Sequence, residues 1–236
     1  MADTSPAITA DDPRLLAPGR FVDSDHPAVR EHAAAVVAGA TDDRERAARL
    51  FRDAREHLRY DPYTISTRAD DYVASTLLTK DRGFCVTKAV LLCALCRAAG
   101  VPARLGFADV RNHLASPRLH ALMGTDLFVF HGYVEIWIEG RPVKATPAFN
   151  ASLCQRFGVP PLEFDGAHDA LLQPFDGAGR RHMEYVHERG LYFDLPLDEI
   201  LTTFAATYRP MLEAPAPAEV VDPVFHGDDP RGDDSA

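Results

Sequence analysis

The chain is short of lysine, of tryptophan and of cysteine, and it has no long apolar run. Lys80, Lys88 and Lys144 are its lysines, Trp137 is its one tryptophan, and four of its 236 residues are cysteines. Each shortage excludes something. Nothing approaches the roughly 18 consecutive apolar residues of a membrane span, so no membrane partner is expected. The formal net charge is −10 and the basic residues are almost all arginines that alternate with acids. Phosphate backbones need a concentrated basic surface, so no nucleic-acid partner is expected either. Met1 to Pro18 carries Asp3, Asp11 and Asp12 without a basic start or an apolar stretch, which is not the pattern of a secretory signal. Three of the four cysteines fall in one predicted helix, which is no disulfide framework. Cys93 and Cys96 form a CxxC with no second ligand pair and read as small core residues rather than zinc ligands. These features together fit a reducing, cytoplasmic setting.

What is present is an ordinary globular composition, 46% apolar, in a chain long enough for one well-packed domain. Residues 1–24 are polar and proline-punctuated and read as a loose arm. Residues 25–212 read as the single domain, and residues 213–236, rich in Pro, Ala and Asp, as a disordered acidic tail. Pro27 suits the first turn of a helix running to about Ala40. Asp42 with Glu45 resembles a capping box opening a second helix through about Leu58, with Ala47, Leu50, Phe51, Ala54 and Leu58 on one face. Tyr60-Asp61-Pro62-Tyr63 stops it. A short helix near Tyr72–Leu78 follows, and then a turn at Lys80–Gly83. Beyond Pro102 the period changes: Ala103–Val110 and Phe128–Ile138 are strand-like, and Glu139-Gly140 turns the second into a strand over Arg141–Pro147. The polar stretch Arg111–Asp126, with Asn112, His113 and His120, reads as an exposed loop. Short helices are expected over Ser152–Phe157 and Leu197–Tyr208. Helices first and an antiparallel sheet afterwards indicate an α+β fold.

The chemistry concentrates on Cys85. Gly83-Phe84-Cys85 passes from a permissive turn into an almost unbroken apolar helix that ends at Gly100. A thiol in the first turn of a helix meets unpaired N–H groups and the positive end of the dipole, so its pKa should fall below the free value of about 8.5. His131 opens the strand His131-Gly132-Tyr133-Val134-Glu135-Ile136-Trp137-Ile138, and a cysteine and a histidine so placed can act as nucleophile and base. Alternation puts His131, Tyr133, Glu135 and Trp137 on one face and Val134, Ile136 and Ile138 on the core face. A two-residue turn pairs Ile138 with Arg141, sets Glu135 opposite Lys144, and makes Thr146 a diagonal neighbour of His131. Its hydroxyl could then fix the imidazole tautomer, though without a compensating charge. His168, His182 and His187 read as surface or core residues, whereas His113 could reach a cleft.

The run from Gly83 to Arg104, ending Arg97-Ala98-Ala99-Gly100-Val101-Pro102-Ala103-Arg104, resembles the core of the transglutaminase-like superfamily. So does His131-Gly132-Tyr133-Val134-Glu135 with its Gly140 turn and Thr146-Pro147. The resemblance covers roughly residues 45–150. It implies a papain-like α+β fold with Cys85 as nucleophile on a central helix packed against an antiparallel sheet, and His131 as base. The family usually has aspartate where this chain has Thr146. Three readings follow: Thr146 orients His131, Asn150 does so as asparagine does in papain-type enzymes, or the triad is broken. Either of the first two makes the chain a thioester-forming acyl-transfer enzyme, a peptidase or amidase rather than a protein cross-linker, that needs no metal or organic cofactor and takes a peptide or amide substrate. The alternatives are a catalytically silent domain that binds a peptide or protein, and a metal-binding protein using Cys85 and His131.

Overall fold

Helix α4, Cys85–Ala98, is buried from Cys85 through Arg97. A helix that is apolar on every side must be covered on every side, and the architecture follows from that. In the computed structural model, which describes residues 8–113, 116–172, 183–208 and 222–226, helices α1 (Pro27–Val36), α2 (Asp43–His57) and α3 (Ala74–Leu77) all pack on α4. A four-stranded antiparallel sheet also packs on it, in the order β5-β4-β3-β6. Its strands are β3 (Ala103–Asn112), β4 (Leu127–Ile138), β5 (Arg141–Ala145) and β6 (Met183–Tyr192). A small parallel pair, β1 (Arg59–Tyr60) and β2 (Arg82–Gly83), leads the chain into α4. Helices α5 (Pro117–Met123), α6 (Ala151–Phe157) and α7 (Leu197–Thr207) complete the α+β arrangement. No helix among the described residues is long and apolar enough to cross a membrane.

Local chemistry sets the element ends. The Asp42 carboxylate accepts the Glu45 N–H at 2.8 Å, while Glu45 reaches back to the Thr41 N–H at 2.9 Å, so the box spans one residue more than the sequence pattern implies. The other end of α2 is closed from α4, where the Lys88 ammonium donates to the carbonyls of Ala54, Arg55 and Leu58. Burial pushes Lys88 down to about 7, and those carbonyls, which have no partner within α2, are its compensation. The β4–β5 hairpin has the expected register, with Ile138 on Arg141 and Glu135 on Lys144. Glu139 and Gly140 both have positive φ, at 53° and 78°, as a type I′ turn requires.

Several expectations fail, each for a tertiary reason. Arg111–Asp126 is not an open loop: β3 runs on to Asn112, and Ser116 with Pro117 caps and opens α5, with the Ser116 hydroxyl accepting the Leu119 N–H. β6 carries no strand pattern in its sequence, because it is polar and pairs along β3 with two irregularities. The second face of β4 is not exposed, since His131, Tyr133, Glu135 and Trp137 are all buried. Glu135 faces Lys144 across the ladder but pairs with Arg104, and Lys144 turns to Glu188. The N-terminal arm is docked from residue 8 onward: Asp194 accepts the N–H groups of Arg20, Phe21 and Val22, and Leu15, Phe21 and Val22 join the interior. Within the expected disordered tail, Asp222–His226 is packed, with Pro223–His226 forming a short helix.

Candidate active site

Cys85 is the first residue of α4, and the preceding Phe84 donates its N–H to the Thr87 hydroxyl at 3.0 Å, which closes the turn. The strand that carries His131 meets this turn at Gly132. A Cβ at Gly132 would lie 2.8 Å from the Cys85 carbonyl oxygen and 3.0 Å from the Ala89 Cβ. Only glycine allows that approach, and it presses the main chain beside His131 onto the cysteine. The backbone N–H groups of Gly132, Val86 and Cys85 all favour a negative sulfur. Burial nevertheless outweighs them, and the thiol is raised to about 11 instead of lowered. The N–H groups of the helix start do favour the thiolate, but desolvation, which position along a helix does not reveal, is the larger effect.

His131 is 1% exposed, and neither ring nitrogen has a hydrogen-bond partner. Burial alone lowers it to about 4. The Thr146 hydroxyl is likewise buried; its polar neighbour is the Tyr185 hydroxyl, and no hydrogen bond joins it to His131. The Thr146 N–H donates to the Ala170 carbonyl at 2.9 Å, and the residue lines a small cavity with Phe149, Cys154 and Leu172. Asn150 is engaged elsewhere: its side-chain oxygen accepts the Tyr60 N–H at 3.0 Å and its amide donates to the Ser152 hydroxyl at 2.8 Å. It precedes α6 without capping it by its side chain. His113 sits beside Glu184 at 3.4 Å, His168 pairs with Asp165, and His182 lies outside the described residues. Among the described residues, His32, Asp53 and His57 form a group of three whose ligand atoms lie close enough to share a metal ion, and neither Cys85 nor His131 belongs to such a group.

Sequence reasoning missed the device that sets the strand before His131. Ala108 pairs with His131 and Val110 with Phe128, so Val129 and Phe130 together oppose Asp109 in a β-bulge. Phe130 is held at φ 54°, a strained conformation for an aromatic residue. The buried Asp109 carboxylate secures it, accepting the Phe130 N–H at 3.1 Å and both Nε and Nη2 of Arg189 at 2.8 Å. Arg189 is itself an extra residue on β6, between the Phe107–Gly190 and Ala108–Glu188 pairs. An acid inside an apolar strand, Phe107-Ala108-Asp109-Val110, was the available signal. Four tyrosines lie within electrostatic reach of the cysteine. Burial raises the hydroxyl pKa of Tyr60, Tyr72, Tyr185 and Tyr208, and Cys85 is near enough for its charge to add to each.

A cysteine at the start of a buried helix, pressed on by a His-Gly strand in an α+β core, is the arrangement expected of one family, and residues 30–146 match the transglutaminase-like superfamily. The chain carries a transglutaminase-like core. No curated protein is similar to it in sequence. Among solved structures it is similar to a candidate cysteine protease from Cytophaga hutchinsonii, at 18% identity and a TM-score of 0.46, over 80% of this chain and 57% of that one. It is similar also to a candidate protease from Parabacteroides distasonis, at 17% identity and a TM-score of 0.37, over 56% of this chain and 24% of that one. The chain thus spans little more than half of the first and a quarter of the second, and neither superposition is close enough to carry functional weight.

The Gly132 contact gives a direct check on this transglutaminase-like core. Gly132→Ala should cost about 1–3 kcal/mol, the usual penalty of overpacking. It should also change the alkylation rate of Cys85, because its methyl group enters the Cys85 turn. Urea unfolding with peptide mapping of the alkylated cysteine measures both. An unaltered midpoint would show that strand and helix are not in tight contact.

Proposed function

We propose that the chain is a cysteine-dependent enzyme that cleaves amide bonds through a thioester, by hydrolysis rather than protein cross-linking. One observation carries the reading: a buried histidine with both ring nitrogens unpartnered stands next in sequence to the glycine that contacts the Cys85 turn. Unsatisfied buried nitrogens are costly, and a site that must exchange protons is a reason to keep them. In this reading His131 takes the Cys85 proton as sulfur attacks the amide carbonyl and forms a C–S bond. N–H groups at the start of α4, including that of Cys85, hold the oxyanion. The imidazolium then gives its proton to the leaving amine as the C–N bond breaks. Water, deprotonated by His131, attacks the thioester, the C–S bond breaks, and the acid departs as the thiol is restored. Thr146 is the polar group proposed to steady the imidazole. Asn150, tied to Tyr60 and Ser152, is left with a part in holding the wall of the site.

A second reading, a silent domain that binds a peptide, is favoured by the raised Cys85 thiol and by threonine in place of the family's aspartate. Mass spectrometry after exposure to p-nitrophenyl acetate separates the two. The enzyme reading expects an acetyl adduct on Cys85, absent in Cys85→Ala and formed about 10²–10⁴-fold more slowly in His131→Ala, the usual share of a general base. An adduct rate indifferent to His131, together with saturable peptide binding, would establish the silent domain.

A further inference from the structure

The packed segment near the end of the chain lies against the wall that leads into the Cys85 turn. The Asp222 carboxylate accepts the Tyr63 hydroxyl at 2.8 Å and the Ser116 hydroxyl at 2.6 Å. Phe225 packs among the rings of Tyr60, Tyr63 and Phe157, with centroids 6.0–6.3 Å away, and its carbonyl accepts from Arg82 at 3.3 Å. His226 accepts the Asp222 N–H through Nδ1, which leaves Nε2 to donate to the Asp61 carboxylate at 2.8 Å. The segment is therefore held by an acid, an aromatic ring, a carbonyl and an imidazole.

Its anchors belong to the approach to the cysteine. Tyr60 pairs with Gly83 in the β1–β2 ladder, the Asp61 N–H donates to the Gly83 carbonyl at 2.7 Å, and Arg82 stands three residues before Cys85. Tyr60, on which Phe225 rests, is close enough to Cys85 to feel its charge. Cys85 itself is only 6% exposed, so a carbonyl cannot reach the sulfur without displacing something.

We propose that this surface is the peptide-binding arm of the active site and that residues 222–226 occupy it in cis, as a substrate-like strap. The inference rests on Cys85 being the nucleophile and names the substrate class: a peptide with an acidic residue three positions before an aromatic one. The acid takes the Tyr63 and Ser116 hydroxyls, and the aromatic side chain takes the place of Phe225 beside Tyr60. Displacing the strap opens the route to Cys85.

The test is iodoacetamide alkylation of Cys85 in the full chain, with peptide mapping to separate Cys93, Cys96 and Cys154. Phe225→Ala should raise the rate about tenfold or more, the factor that roughly 1.4 kcal/mol of lost docking gives. Asp222→Asn, which keeps the shape and loses the charge, should raise it less. A synthetic peptide of residues 221–227 added to Phe225→Ala should restore protection saturably. An unchanged rate in a Phe225→Ala chain that melts normally would overturn the inference, as would a peptide that restores nothing. The two readings fail separately: a rate raised by Phe225→Ala but indifferent to His131 keeps the strap and removes the catalytic pair, whereas an unchanged rate that still depends on His131 removes the strap alone.

Discussion

Asp109→Ala is expected to lower stability by about 3–5 kcal/mol, because it removes one partner of a largely buried ion pair and strands the other. Arg189 is 26% exposed and recovers some hydration, which places the loss toward the lower end of that range. The Phe130 N–H loses its acceptor in the same step, and nothing then holds Phe130 at φ 54°. The strain should relax into the strand that carries His131, so the change ought to move the reactivity of Cys85 as well as the melting temperature. For a chain of this length about 3 kcal/mol corresponds to roughly 6–12 °C. Asp109→Asn keeps an acceptor for Phe130 and should lose less on both counts. Thermal melting of the two variants, with alkylation of Cys85 beside it, makes the check. An Asp109→Ala chain that melts within a degree or two of the parent would mean that the bulge holds itself.

The acid limb of the stability curve should belong in large part to His131. Its pKa is about 4 in the folded chain against an ordinary value of 6.5, with burial as the cause. Between those values the unfolded chain binds the proton and the folded chain does not, so stability is complete above pH 6.5 and falls as pH drops toward 4. Two and a half pH units amount to about 3 kcal/mol. His131→Gln, which cannot take the proton, should flatten that limb, while carboxylates common to both chains contribute equally and cancel in the difference. Melting temperature measured from pH 7 to pH 4 in the two chains tests it. Parallel curves would mean that His131 is protonated in the folded state, and hence that water reaches it.

These two expectations show where sequence reading succeeded and where it stopped. The β4–β5 register was legible because a two-residue turn admits one pairing and the alternation of Val134, Ile136 and Ile138 admits one core face. The α4 boundary was legible because glycine and proline punctuate it. The partners of the second face of β4 were not, because they come from Arg104 on β3, which pairs with Glu135, and from Glu188 on β6, which accepts the Tyr133 hydroxyl, both distant in sequence. The bulge at Phe130 left one trace in the sequence, the acid Asp109 inside an apolar strand, but its partners, the Phe130 N–H and Arg189, lie on neighbouring strands and are not local to it. Asn150 had two local readings, orienting His131 or capping α6, and tertiary contact chose a third, the backbone of Tyr60.

The sequence by itself determined the α+β class, the placement of Cys85 at a helix start and of His131 on a strand, and the family that shares those motifs. These are matters of spacing, periodicity and residue type, which act between near neighbours in the chain. Only the tertiary structure decided that burial raises the Cys85 thiol, that both nitrogens of His131 go unpartnered, and that residues 222–226 dock beside the Cys85 turn. Desolvation and hydrogen-bond partnership depend on which distant segments arrive, and no local pattern carries that information.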